Sequence, residues 1–381
     1  MEGGSEETMT DAFLLAGDSQ TDQNLFYKTN FLAEGFFYLE MDGQRTIVAS
    51  PMERGRAAKE SSVPTIRTFD DYGYQQAMGE LKDRNRAFAT VLARAVQDMG
   101  ADRVVVGPRF PLLYGESLRG DSLDVKVDAE LLVLQRRQKS EDEIAAIEEA
   151  QRAGEAAAAR AVEILRQCEE RDGVLQYEGI PLTSERLRRE MEVTMVRDDM
   201  DVSRSPTVAG GPGAADPHWA GYGPLRANEA IVMDIVPRSK KTRYYADMTR
   251  TVVRGQPSDQ LQAMYDAVLR GQEAALGEIR AGANGRDVHQ AVQQVFREAG
   301  FDRAEGGPRY IHSTGHGVGL DIHEPPGLST LDVELLENEV ITVEPGLYDP
   351  DIGAVRVEDL VVVTKGGYRN LTRFPKDFVV P

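Results

Sequence analysis

The sequence predicts an α+β chain in two parts, a small α/β domain over residues 1–135 and a larger second domain over 136–381. Three observations lead there. Short β-rich runs alternate with a helical stretch between Asn24 and Leu134, a helix-capping signature opens at Ser140, and the second half carries two pairs of β-like runs joined by polar or turn-rich segments. A length of 381 residues suits two domains, at about 150 residues each.

Taken in order, residues 1–20 read as a loose tail. Residues 36–39, 46–49 and 103–106 read as strands, and 74–99 reads as one helical stretch; no phosphate-cradling glycine loop accompanies them. Ser140-Glu-Asp-Glu143 is a capping box. After it, Ile144, Ile147, Ala150, Ala158, Ala161 and Ile164 form an apolar stripe that carries a helix to about Cys168. Gly154 falls on that stripe, where it lets a neighbour pack close. Further helices fit 183–198, 259–280 and 285–299, the last holding His289 as a structural residue.

Composition narrows the function. With 44 basic and 63 acidic residues the net charge is -19, which argues against nucleic acid or an anionic membrane as partner. Cys168 is the single cysteine, so no intrachain disulfide forms and a reducing compartment is expected. The amino terminus is acidic where a secretory signal would be basic, and no run approaches the ~20 apolar residues of a membrane span. A soluble, cytoplasmic protein is the expectation.

Chemistry concentrates in four places. The first is a loop rich in glycine and proline, 209–219, ending Pro217-His218-Trp219. The second is a hairpin of 231–236 and 244–253. If its strands pair symmetrically about Lys240/Lys241, Asp234 and Asp247 lie directly opposite, where two carboxylates need a cation between them or a shared proton. The third is a pair of runs, 340–344 and 355–358, each carrying a glutamate, Glu344 and Glu358, and joined by turn-rich 345–353. The fourth is 312–324, which holds three of the five histidines, interleaved with Gly315, Gly317 and Gly319. Each glycine costs a helix interior about 1 kcal/mol, so this stretch is extended or looped, with something approaching its backbone closely. Asp234, Asp247, His316, Glu344 and Glu358 together suit hard to borderline divalent ions. Four carboxylates exceed what one ion compensates comfortably, and two ions about 3.5–4 Å apart fit better.

The order Asp, Asp, His, Glu, Glu resembles that of the dimetal "pita-bread" peptidases, a family that includes prolidase, aminopeptidase P and methionine aminopeptidase. The surrounding motifs agree: His-x3-His-x6-His-Glu from His312, Glu344-Pro-Gly-Leu-Tyr348, Val355-Arg-Val-Glu-Asp359, Asp247-Met-Thr-Arg-Thr251 and Lys139-Ser-x-x-Glu-Ile144. The resemblance is strong over 136–381 and weak before it. It implies a creatinase-like α/β first domain, a second domain of curved antiparallel sheet with outer helices, and a homodimer. It also implies two divalent ions, Mn²⁺ first with Co²⁺, Zn²⁺ or Fe²⁺ as alternatives, held by Asp234, Asp247, His316, Glu344 and Glu358. The implied reaction is hydrolysis of the Xaa-Pro bond of a small peptide by a hydroxide bridging the ions. In that scheme Glu344 steers the proton, His323 stabilises the oxyanion, His218 approaches the scissile bond from its loop, His312 lines the pocket for the residue after that bond, and Arg356 orients a ligand carboxylate. Four of the five histidines fall on family positions.

Two features depart from the family pattern. Val236 stands where members commonly have glycine in Asp-x-Gly, and thirteen residues rather than eleven separate the two aspartates. Two extra residues preserve strand phase, so the aspartates still face one side, whereas Val236 shares that side and narrows it. Two other functions sit on the same fold: a creatinase-like amidinohydrolase, which replaces the metal ligands, and a non-catalytic peptide binder, which tends to lose them. All five ligands are present here.

Overall fold

The computed structural model describes residues 10–301 and 307–381. The chain divides into two compact units, Met1–Leu134 and Gln135–Pro381.

The first unit is built on a six-stranded mixed sheet in the spatial order Thr65–Thr68, Gln44–Ala49, Phe36–Met41, Asp11–Gly17, Arg103–Val106, Asp124–Val127. Residues 11–17 therefore do not belong to a tail. They form an interior strand, antiparallel to Phe36–Met41 and parallel to Arg103–Val106, while 1–9 lie outside the described residues. Ala12, Leu14, Leu15 and Ala16 are all buried. A strand covered on both faces loses polar alternation and reads as a short apolar run. The helical stretch 74–99 is two helices, Tyr74–Leu81 and Arg84–Met99. Lys82 breaks it in a left-handed conformation, φ 52°, and the Asp83 carboxylate caps the second helix by accepting from the amides of Asn85 and Arg86.

In the second unit the capping box at Ser140 is complete, with Ser140 Oγ and the Glu143 carboxylate each accepting the other residue's amide, and it opens the helix Glu141–Arg166. Gly154 does admit a neighbour: a Cβ there would lie 3.2 Å from Cγ of Pro237. Helices Ser184–Arg197, Asp259–Glu278 and Gly285–Glu298 follow. They enclose two sheets, Thr207–Gly210, Ala230–Ile235, Met248–Arg254, Val379–Val380 and Glu324–Leu328, Gly315–Gly317, Val340–Val343, Asp359–Thr364, Gly367–Asn370. Pairing is antiparallel except at the Val379–Val380 edge.

Period-two alternation distributes the strands' side chains. Ile231, Met233, Ile235, Met248 and Val252 join the core of the first two helices, as do Val340 and Val362, whereas Ile341, Val343, Val361 and Val363 join the core of the last two. Val232 turns the other way, toward Tyr348 and Ala354. Asp234, two residues on, shares that side, so alternation alone carries its carboxylate away from the helix-backed core.

Candidate metal centre

The hairpin supplies the first two carboxylates, in a different register from the one expected. Asp234 pairs with Thr249, not Asp247. The turn closes later because Arg238–Ser239 is drawn into pairing with Met200–Asp201, and Arg243, at φ 66°, brings the chain round. A slip of two residues returns every side chain to its own face. Asp234, Thr249 and Asp247 therefore still share one side, with the aspartates diagonal rather than opposed. Val236 follows on the same side and is 7% exposed.

The two glutamates sit where a long hairpin changes sheets. Val340–Val343 pairs with Asp359–Thr364, and the intervening residues are not only turn: Gly346–Asp349 and Gly353–Arg356 form a ribbon of their own. Both ladders keep one register, which carried across the gap sets Glu344 opposite Glu358. Pairing lapses there because the Glu344 amide donates to the Thr314 carbonyl and the Glu358 amide to that of Thr249. Those two bonds join the glutamates to the histidine segment and to the Asp247 strand.

His316 lies on the strand Gly315–Gly317, and the flanking glycines explain its closeness. A Cβ at Gly315 would fall 2.0 Å from the Thr342 carbonyl oxygen, and one at Gly317 2.4 Å from that of Pro325. The expected close approach to this backbone is thus made by neighbouring strands.

One ligand atom from each of Asp247, His316 and Glu358 lies within 4.8 Å of the others. His316 Nε2 is 3.4 Å from Glu344 Oε1 and 3.8 Å from Asp247 Oδ2. Its Nδ1 faces the Gly317 carbonyl at 3.1 Å and so carries the proton, which leaves the Nε2 lone pair directed at carboxylate oxygens. Two lone pairs at that distance need a proton or a cation between them. Asp247 is 5% exposed, and its Oδ1 is buried with no hydrogen-bond partner. Burial, then the charges of Asp234 and Glu344, pushes the Asp247 carboxyl well above the carboxylate range. Burial followed by Asp247 and Glu344 does the same to Glu358. Burial also raises Glu344, against the opposing pull of His312 and Arg356, and lowers His316. These groups fit divalent cations: an orphaned oxygen, an imidazole presenting its lone pair, and acids that burial otherwise forces to hold protons.

Arg356 holds one side of the cluster. Its guanidinium donates to Asp234 Oδ2 at 2.5 Å, to Thr249 Oγ1 at 3.0 Å and to the Tyr348 hydroxyl at 3.0 Å. Burial opposes its charge, but Tyr348, Asp234 and Glu344 hold it protonated. Thr249 in turn donates to Glu358 Oε2 at 2.7 Å, and Tyr348 lies 2.8 Å from Nε2 of His312, whose Nδ1 donates to the Ser313 carbonyl. Thr342 accepts from the His316 amide and donates to Glu344. Sequence reasoning missed Thr249, Thr342 and Tyr348 as site residues. Thr249 and Thr342 stand two residues from Asp247 and Glu344 and share their strand faces, and Tyr348 ends the Glu344 motif.

His323 stands beside the cluster, its ring edge-to-face with that of His316 at 4.4 Å between centroids. Burial first, then His316 and Arg204, lower it to about 4, so it is neutral at pH 7. His218 is exposed on its loop, with its backbone amide bonded to the Asp216 carboxylate, and its ring takes no part in the network described above. His289 is buried against Thr314 Oγ1, 2.9 Å away.

Among solved structures the chain is similar to X-Pro aminopeptidase from Thermotoga maritima, with a TM-score of 0.81, 26% identity and 97% of each chain covered. It is also similar to the prolidase from Pyrococcus horikoshii, at TM-score 0.78 and 25% identity over 97% of this chain and 95% of that one. In sequence it is 41% identical over 138 residues to the uncharacterized peptidase YqhT of Bacillus subtilis, 36% of this chain and 38% of the relative. Against the Xaa-Pro dipeptidase of Pyrococcus furiosus it is 34% identical over 174 residues, 45% of this chain and 48% of the relative. The matched stretches thus span less than half the length of these curated relatives. Residues 145–365, which contain all five clustered acids and imidazole, match metallopeptidase family M24, whose members use divalent metals, and the chain belongs to that family.

Proposed function

We propose that this protein hydrolyses the peptide bond before proline, Xaa-Pro, in small peptides, as a dipeptidase or an aminopeptidase. The observation that carries the reading is the convergence of Asp247, His316 and Glu358, with one buried oxygen of Asp247 left without a partner. The activities of the similar Thermotoga and Pyrococcus proteins, an X-Pro aminopeptidase and prolidases, support proline as the residue after the bond. Asp234, Asp247, His316, Glu344 and Glu358 would hold two divalent ions, Mn²⁺ in the first instance. When bound, such ions supply Lewis acidity, lowering the pKa of water toward ~7 and polarising the scissile carbonyl.

The chain's own residues do the rest. Glu344, which accepts from the Thr342 hydroxyl beside His316, takes the proton of the attacking water and passes it to the leaving nitrogen. His323, being neutral, donates a ring N–H to the oxyanion as the tetrahedral intermediate forms. His312, fixed between the Ser313 carbonyl and Tyr348, lines the proline side, and His218 closes in from its exposed loop. Arg356 holds the Asp234 carboxylate in place. The enzyme works as a homodimer in the cytoplasm; among the described residues no helix is long and apolar enough to cross a membrane.

Metal analysis of the purified protein, with hydrolysis of Gly-Pro compared with Gly-Pro-Pro, tests this. Two equivalents of metal and cleavage of one or both peptides are expected. A metal-loaded protein that cleaves neither removes the proposal.

A further inference from the structure

A second group of buried charges lies behind the histidine segment, on residues 136–139. Lys139 is 2% exposed, and its Nζ donates to Glu324 Oε1 at 2.5 Å. Arg136 donates to the other oxygen of that carboxylate at 2.7 Å and to Asp321 Oδ2 at 2.6 Å. Arg137 donates to Glu339 Oε1 at 2.5 Å and to the Glu334 carbonyl at 2.7 Å, and the Lys139 amide donates to the carbonyl of Asn338.

Two of these cations, Lys139 and Arg136, grip one loop. Gly317 pairs with Glu324, which closes the loop 317–324 at its base next to His316. A Cβ at Gly319 would lie 2.4 Å from Glu324 Oε1, so the loop curls around that carboxylate; the Tyr245 amide holds the Gly319 carbonyl from outside. His323 is the residue before Glu324, and its ring rests on that of His316.

Stability alone does not call for such an arrangement. Taking an ammonium and a carboxylate out of water costs several kcal/mol per ion, and apolar residues of equal volume often serve as well. What the charges supply is direction: two cations on one carboxylate fix the backbone at Glu324, and Arg136 fixes it again at Asp321. We propose that Lys139 and Arg136 are positioning residues that hold His323 against His316 by way of Glu324. The activity readout below rests on the Xaa-Pro reading, and the spectroscopic one does not.

The first experiment is a ¹H–¹³C spectrum of the five imidazoles in metal-free protein, with the His323 signal identified by its loss in His323→Ala. Lys139→Met is expected to shift or broaden the His323 signal and to leave that of His218 in place. An unmoved His323 signal overturns the proposal. In the second, Mn²⁺-loaded Lys139→Met is expected to lose about 10- to 100-fold in kcat on Gly-Pro, with KM within about twofold and metal content unchanged; Lys139→Arg restores most of the rate. In a His323→Ala background, Lys139→Met is expected to add nothing. An equal loss in both backgrounds places its effect elsewhere and overturns the proposal. Should Lys139→Met fail to fold, Arg136→Gln undergoes the same comparisons, since its side chain is 13% exposed. If the wild type hydrolyses no Xaa-Pro peptide while Lys139→Met moves His323, the proposed function falls and the positioning role stands.

Discussion

Replacing Asp247 by asparagine separates what the carboxylate does for the fold from what it does for a metal. In the metal-free protein it is a liability: 5% exposed, one oxygen without a partner, Asp234 and Glu344 close enough to raise its pKa. An unsatisfied buried polar group costs about 1–3 kcal/mol, and more when charged; asparagine removes the charge and brings an N–H₂ that donates to the neighbouring carboxylates, relieving a cost of that order. At about 2–4 °C per kcal/mol for a unit of this size, Asp247→Asn in EDTA at pH 8 is expected to raise Tm by roughly 2–12 °C. With metal present the sign reverses. An ion at 100 times its Kd stabilises the native protein by about 2.7 kcal/mol, a gain of roughly 5–11 °C, and the variant forfeits it. Differential scanning calorimetry of both proteins, each in EDTA and in excess Mn²⁺, gives all four values. A variant that loses stability in EDTA, or keeps the Mn²⁺ gain, refutes the assignment of Asp247 as a buried carboxylate waiting on a cation.

Gly315→Ala places a methyl where the Thr342 carbonyl stands, 2.0 Å away, and backbone cannot swing aside. His316 should move off the cluster, with metal content below one equivalent by atomic emission; full occupancy would show that the strand has slack. Arg356→Lys keeps the charge but cannot reach Asp234, Thr249 and Tyr348 together. Unpairing a buried partner costs about 3–5 kcal/mol, so urea unfolding should show a loss of that order, and a loss under about 1 kcal/mol contradicts the network. Removing His323 by the Ala substitution should lower kcat strongly with metal content near two; loss of metal would make it a ligand instead. The pH dependence of metal-free stability follows from the raised carboxyls of Asp247, Glu344 and Glu358. Their folded pKa values exceed the unfolded ones, so their contribution is complete below about pH 4 and is lost as pH rises through the folded values. The histidines with lowered pKa act oppositely, but only up to about pH 6.5. From about pH 6.5 upward these carboxyls can only lower Tm in EDTA or leave it level; a rise in EDTA over that interval, with no such rise in Mn²⁺, is incompatible with the buried cluster.

Three of the clustered carboxylates were legible because each interrupts an apolar strand or follows one directly, where a charge stands out. Asp234 stands inside Ala230–Ile235, Glu344 just after Val340–Val343, and Glu358 between Gly353–Arg356 and Asp359–Thr364. Strand phase was legible for the same reason, and it survived an error in register, since a slip of two leaves Asp247 facing the same way. What could not be read was decided by partners far along the chain. The hairpin turn shifted because Met200–Asp201 pairs with Arg238–Ser239. The strand Asp11–Gly17 was hidden because both of its faces are covered, which erases the alternation that marks a half-exposed strand. The break at Glu344 and Glu358 depends on amides captured by Thr314 and Thr249, contacts that no local pattern announces. Glu344 and Glu358 lie where strands leave one partner for another, so the backbone bonds to Thr314 and Thr249 also place their carboxylates.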